Sequence, residues 1–174
     1  MNWRWRERGQ AIVEFALLTP IVFAFIFIIV DMGVGLSHHV VLTNAAREGA
    51  RYAAAGAPPE GGCTQASVVD RITCKTLAHA QGLVDSSNCP GAQCPVQVAF
   101  VDRGDPADGQ LSPGDSIVVR INYKYKLITG LGLSSSIGWL KWPGIPPLTM
   151  DSCEDMRLEQ VRSDATLSAN NPCP

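Results

Sequence analysis

The sequence predicts an α+β chain: one long N-terminal helix that crosses a membrane, then a small disulfide-bonded domain built on an antiparallel sheet of three to four strands. Three observations predict it. A long apolar run lies near the N-terminus, from Phe15 to Val30 without a charge. All six cysteines, at 63, 74, 89, 94, 153 and 173, follow that run. A stretch at 117–127 alternates between apolar and polar residues in the manner of a half-buried strand. The chain has 174 residues, a formal net charge of −2 and 46% hydrophobic residues. That composition supports a packed core and carries no basic excess of the kind that nucleic acid would require. Only 17% of residues are charged, against about 25% in ordinary globular domains, and much of the deficit falls in the apolar run.

From Ala11 to Leu36 the segment is interrupted only by Glu14 and Asp31. A bilayer core of about 30 Å needs about 20 helical residues, so this segment is long enough to span. A cleaved secretory signal is the competing reading, with Arg4, Arg6 and Arg8 as its basic region. The small-residue sites at Ala45–Ala46 and Ala53–Ala55 lie too far beyond the apolar run for that. A buried core helix is disfavoured because so short a chain has little left to surround it. Arginines precede the run and Asp31 follows it, which places the N-terminus in the cytoplasm and everything after Leu36 outside. The outer compartment is oxidising, and an even number of cysteines there reads as disulfides.

Two residues in the span are unusual. Glu14 costs about 2.5–3.5 kcal/mol at the centre of a spanning helix and less near an interface; it is either a snorkelling carboxylate or one that meets a cation on a neighbouring subunit. Pro20 cannot donate to the carbonyl of Ala16, which predicts a kink or local melting, with Thr19 re-satisfying freed backbone groups. Asp31 reads as the outer end of the span.

The run Arg8-Gly9-Gln10-Ala11-Ile12-Val13-Glu14-Phe15-Ala16 resembles the N-terminus of TadE-like proteins, pseudopilins of Tad (Flp, type IVc) pili. The stretch Asn44-Ala45-Ala46-Arg47-Glu48-Gly49-Ala50-Arg51 is also similar to that family. The resemblance implies a pilin-like architecture and a structural role rather than an enzymatic one. It implies a leader at 1–9 cut by a prepilin peptidase after Gly9, making Gln10 the new N-terminus and Glu14 the fifth mature residue. Glu14 would then meet the amino terminus of an adjacent subunit during assembly, each group offsetting the other's desolvation. Cutting there removes three Arg and one Glu, taking the formal charge from −2 to about −4. The implied partners are the membrane, the peptidase, other Tad pilins or pseudopilins and an inner-membrane assembly platform. The implied location is the bacterial inner membrane, with passage into an extracellular pilus as a further step and surface attachment as the outcome. The alternative is a bitopic envelope protein that binds or scaffolds without joining a filament.

The helix is expected to continue to Ala55, giving a transmembrane and extended helix at 10–55 and an extracytoplasmic domain at 56–174. Ala46, Gly49 and Ala50 lie in a small-residue surface that suits close packing, either between bundled helices or against the chain's own outer domain. Arg47 and Arg51 are like charges at i,i+4, and Glu48 can serve Arg51. Gly56–Gly62 ends the helix. A second helix is expected over about 64–82, capped by Thr64, with Val69, Ile72, Ala80 and Leu83 on one face. Strands are expected at Val96–Val101, at Ile117–Leu127 and, with weaker alternation, at Leu148–Leu158. In the second, Ile117, Val119, Ile121, Tyr123, Tyr125 and Leu127 face one way and Arg120, Asn122, Lys124 and Lys126 the other. The Gly- and Pro-rich segment 130–147 reads as a loop whose Trp139 and Trp142 either anchor a partner or fill the domain's own core. The tail from Ser163 reads as loose.

If the second helix starts at Thr64, Cys74 lies about 15 Å along its axis from Cys63, beyond the ~7 Å that a disulfide tolerates between Cα atoms. Cys89–Cys94 is then a local loop, and Cys63 and Cys74 pair with Cys153 and Cys173 in either sense. No metal centre or cofactor is expected. The cysteines lack CxxC spacing, and His38 and His39 point about 100° apart on the helix, as an interfacial pair. His79 has no visible partner. No GxSxG, HExxH or phosphate loop occurs, and Gly33-Val34-Gly35 lies in the spanning helix. Arg103-Gly104-Asp105 spells an adhesion tripeptide of a length that recurs by chance.

Overall fold

The computed structural model describes residues 4–80, 82–84, 96–103, 109–128, 135–137, 140–142, 148–161, 163, 165–168 and 171–173. Helix α1 runs unbroken over Arg4–Ala54, one residue short of the expected end. Gly56, at φ 83°, and Ala57, at φ 44°, follow it. Positive φ reverses the chain there: the Ala57 N–H reaches back to the Tyr52 carbonyl at 3.0 Å. Helix α1 continues across Pro20 without melting. Thr19 Oγ1 donates to the Phe15 carbonyl at 2.7 Å, one position before the Ala16 carbonyl that Pro20 leaves without its amide.

Two compact units share α1. The first comprises Met1–Leu36 and Lys126–Pro147, the second Ser37–Tyr125 and Leu148–Pro174. In the first, the helix is apolar on all sides and exposed: Ile12, Phe15, Leu17, Phe25 and Ile29 are each more than 60% exposed. A helix apolar on all sides is one surrounded by protein core or by lipid, and here its residues are exposed, so the helix suits a hydrocarbon surround.

The second unit carries helix α2, Val68–His79, and strands β1 (Val96–Val101) and β2 (Ser116–Tyr125). After β2 the chain leaves for the first unit, where β3 (Ser135–Ile137) and β4 (Leu140–Trp142) form a two-stranded hairpin within the segment read as a loop. It returns as β5, Leu148–Arg157. The main sheet is three-stranded and antiparallel in the order β1-β2-β5.

The alternation of β2 holds: Ile117, Val119 and Ile121 are fully buried, Tyr125 is buried, and Asn122 and Lys124 are exposed. As the central strand it is also buried on its other face at Val118, beside Ala99 of β1. Leu42, Ala45, Ala46 and Ala50 of α1 pack with Ile72 of α2 and with Phe100, Ile117, Val119 and Ile121 of the sheet in one apolar core.

Helix α2 starts four residues later than expected, after Ser67, whose backbone is extended (φ −77°, ψ 137°). Ile72 and Ala80 are buried as expected, and Val68, four residues before Ile72, faces the core in place of Val69, which is 39% exposed. The late start corrects the cysteine pairing. Cys63 bonds to Cys74, with Cα atoms 5.7 Å apart, and Cys153 bonds to Cys173, with Cα atoms 6.1 Å apart. Residues 63–66 are loop, not helix. Gly61 and Gly62 adopt φ 62° and 85°, and the Cys63 N–H donates to the Glu60 carbonyl at 3.1 Å. This turn lays Cys63 beside the helix rather than in line with its axis. Cys89 and Cys94 lie outside the described residues.

The tail is held rather than loose. Ser168 N–H donates to the Phe100 carbonyl at 2.9 Å, Arg120 Nη1 donates to the Pro172 carbonyl at 2.6 Å, and the Cys153–Cys173 bond fixes its end. Asp115, also buried, ties the β1–β2 connection. Its carboxylate accepts from the Arg103 and Ser112 amides at 3.0 and 2.7 Å.

Replacing both Cys63 and Cys74 by Ser is expected to lower stability by about 3 kcal/mol, the loop-closure entropy of a span this short. Urea unfolding of the full chain in detergent micelles checks it; an unchanged midpoint would contradict the pairing.

Candidate functional site

Helix α1 holds every residue that the sequence singled out for processing, assembly and helix packing. It uses them in two different settings. Gly9, Gln10 and Glu14 lie in its first turns and all three are exposed. A Cβ added at Gly9 would meet nothing within 4 Å, so no packing among the described residues requires glycine there. Glu14 sits among Ile12, Val13, Phe15 and Leu17, which are 61–73% exposed. Among the described residues it has no hydrogen-bond or ionic partner. A carboxylate on an apolar helix is costly to surround with hydrocarbon, and no partner for it is present among the described residues.

The small-residue stretch is in the opposite situation. Ala45, Ala46 and Ala50 are fully buried in the core of the second unit. Of the two packing alternatives, these side chains take the intramolecular one. Gly49 marks the crossing of α1 and α2: a Cβ there would lie 2.0 Å from Thr76 Oγ1 and 3.2 Å from Thr76 Cβ. Close helix approach is the reason for this glycine. The charged residues between the alanines point away from the core. Glu48 pairs with Arg51 at 2.6 Å as its spacing predicts. Arg47 reaches Glu154 of β5 at 2.9 Å, a contact that no local pattern announces.

Three further groups position this helix. His38 stands edge-on to Tyr123 and Tyr125 of β2, with ring centroids 6.0 and 5.3 Å away. It therefore packs on the sheet instead of forming an interfacial pair with His39. Arg71 of α2 is buried, donating from Nε to the Ala57 carbonyl at 2.9 Å and from Nη1 to those of Gln65 and Ala66 at 2.6 and 2.8 Å. It thus holds the loop that follows α1. In the first unit, Asp31 is only 4% exposed and accepts from the Ile128 amide at 2.9 Å. None of these contacts was legible without the fold: those of His38 and Asp31 join segments far apart in sequence, and those of Arg71 depend on the path of the loop before α2.

The polar face of the sheet carries ion pairs. Arg120 bonds Asp151, which holds its guanidinium charged beyond its ordinary range, chiefly through that hydrogen bond. Arg103 bonds Asp155. Gly104 and Asp105 of the adhesion tripeptide, and Trp139, fall outside the described residues. Among the described residues no group of three or more His, Cys, Asp or Glu is placed to hold a metal ion.

One helix among the described residues is long and apolar enough to cross a membrane. No curated protein and no solved structure is significantly similar to the chain. Residues 9–51 match the family described as TadE-like protein, so the stretch from Gly9 to Arg51 is similar to that family.

Proposed function

We propose that the protein is a minor pilin or pseudopilin of a Tad pilus, anchored by α1 in the inner membrane until assembly. On this reading residues 1–9 are a leader removed by a prepilin peptidase after Gly9, residues 10–55 are the anchoring helix, and residues 56–174 are the extracytoplasmic domain. Its partners are that peptidase, the other Tad pilins or pseudopilins and the inner-membrane assembly platform. The observation that carries the proposal is Glu14, exposed on an apolar helix without a partner among the described residues, inside the segment that matches the TadE-like family.

The mechanism follows from solvation. Processing after Gly9 frees an α-amino group at Gln10, near neutral pH a cation. In a bundle of apolar helices the Glu14 carboxylate of one subunit is stabilised by such a cation on the next. Neither group is comfortable alone in that medium, so the pair fixes the axial register of neighbouring helices. The small-residue segment contributes differently: it locks the helix to the outer domain, so that the domain follows the helix into the assembly.

Glu14→Ala is expected to leave processing and membrane insertion intact and to cut pilus yield on the order of tenfold or more, since an uncompensated charge in such a pair costs several kcal/mol. Counting pili by electron microscopy, beside immunoblots of the membrane fraction, checks this. Normal piliation in the variant would exclude the assembly role.

A further inference from the structure

The two described disulfides of the second unit stand in opposite settings, and one of them closes a strap. Cys63 is 2% exposed, and its bond to Cys74 ties the turn after α1 to α2. Cys153 of β5 is exposed and Cys173 is half-buried. Their bond ends a segment that crosses the sheet strand by strand. Ser168 N–H donates to the Phe100 carbonyl of β1 at 2.9 Å, Arg120 of β2 donates from Nη1 to the Pro172 carbonyl at 2.6 Å, and Cys173 is bonded to Cys153 of β5. Arg120 and Cys153 are register partners, so the last two ties lie side by side. By the alternation of β2, Arg120 and Val118 lie on the face turned away from Ile117, Val119 and Ile121 of the core. On that face Ala99 and Val118, themselves register partners, are 3% and 0% exposed. The hold on the strap is chiefly covalent. Val161 and Ala165 still pack against the core, but from 166 to 173 no described side chain is buried: Thr166, Ser168 and Asn171 are exposed, and Leu167, Pro172 and Cys173 are half-buried. Hydrogen bonds that water can replace contribute little net, and ordering the segment costs conformational entropy at every residue.

We propose that the Cys153–Cys173 bond is a site of thiol–disulfide exchange, a latch that an external protein dithiol opens while Cys63–Cys74 stays intact. Opening is a two-electron reduction. A thiolate of the dithiol attacks one sulfur of the pair, forming a mixed disulfide and expelling the other sulfur as a thiolate, which takes up a proton. The donor's second thiol then loses its proton and displaces the attacked sulfur, which is protonated in turn. Both cysteines end as thiols and the donor as a disulfide. Closing is the reverse, with a protein disulfide as the oxidant. At the latch, the exposed Cys153 and the half-buried Cys173 allow either sulfur to be attacked or to leave in contact with water. In the other pair, the attacking thiolate must either reach Cys63 or expel it as a thiolate in a site only 2% exposed, which desolvation opposes. Once open, the strap leaves the sheet and bares the face that carries Ala99 and Val118.

The test uses the full chain in detergent micelles, treated with reduced thioredoxin or with dithiothreitol. Pulsed alkylation is read cysteine by cysteine by peptide mapping, and hydrogen–deuterium exchange is followed in parallel. Cys153 and Cys173 should be alkylated at least about tenfold faster than Cys63 and Cys74. Exchange in the C-terminal peptide that holds Ser168 should then rise about tenfold, while peptides of α2 and β2 keep their protection. The pair Cys153→Ser and Cys173→Ser should show this open pattern without reductant and retain the Cys63–Cys74 bond; should that chain fail to fold, the reduction series on the unaltered chain decides alone. Equal or faster alkylation of Cys63 and Cys74 overturns the latch. Selective reduction that leaves the C-terminal peptide protected also overturns it, because the strap is then held without its bond. Loss of protection throughout the domain overturns it as well, because the bond then serves stability alone. Reduction by dithiothreitol but not by thioredoxin overturns the protein dithiol as the partner.

Discussion

Gly49→Ala is expected to destabilise the protein by about 2–3 kcal/mol, although the same change at an open helix position stabilises by close to 1 kcal/mol. The reversal of sign comes from the crossing of α1 and α2. The new Cβ would lie 2.0 Å from Thr76 Oγ1. That hydroxyl is fully buried and donates to the Ile72 carbonyl at 2.8 Å, so it has no free rotamer to retreat into. Rotation would not be sufficient in any case, because Thr76 Cβ is 3.2 Å away and moves only with the helix. The helices must separate, and the core of Ala46, Ala50 and Ile72 between them loosens. Adding Thr76→Ala to Gly49→Ala removes the shortest contact and should recover most of the loss. Urea unfolding of the four chains of this double-mutant cycle, in micelles, measures the coupling. Additive effects would mean that the two residues do not meet.

Arg71→Met should cost about 3–4 kcal/mol with little change in volume. Its guanidinium is the donor for the carbonyls of Ala57, Gln65 and Ala66, and it does so while only 4% exposed. Methionine fills the space and leaves these acceptors without a donor, and the desolvation penalty of unpaired groups then stands uncompensated. Arg71→Lys should recover only part of the loss, since a single ammonium on a flexible stem does not reproduce the planar fork that reaches both ends of the loop. The same loop carries Cys63, so the fraction of chains with the Cys63–Cys74 bond after oxidative refolding should fall in parallel, as read by peptide mapping. A correctly bonded Arg71→Met chain of unchanged stability would contradict the role given to the guanidinium.

What the sequence made legible follows from how far each signal reaches. The apolar run, the end of α1 near Ala54 and the strand at β2 are local patterns, in which each residue's neighbours along the chain decide its environment. The pairing of Glu48 with Arg51 is legible for the same reason, three residues apart on one helix. The cysteine connectivity was misread through a single boundary. Moving the start of α2 from Thr64 to Val68 converts Cys63 from the end of a rigid rod into part of a turn, and the excluded pair becomes the bonded one. On the core face of α2, Ile72 and Ala80 were legible, whereas Val68 takes the place expected of Val69. The partners of Arg71, Asp31 and Arg47 carried no signal, because they are the carbonyls of the loop after α1, the Ile128 amide and Glu154. The small-residue stretch was legible as a packing surface but not as to its partner. Composition says that helices approach closely there, and only the fold says which one.

Near the start of α1 the Glu14 carboxylate is exposed, and near its end the alanines are buried in the core; the proposed role gives the first to neighbouring subunits and the second to the chain's own domain. The central claim is that this helix is delivered as a prepilin. It is tested most directly by the N-terminal residue of the protein recovered from the membrane fraction of pilus-producing cells, read by mass spectrometry of the intact chain. The account predicts Gln10 at the N-terminus; a chain that still begins at Met1 would contradict it and leave a permanently anchored envelope protein in its place.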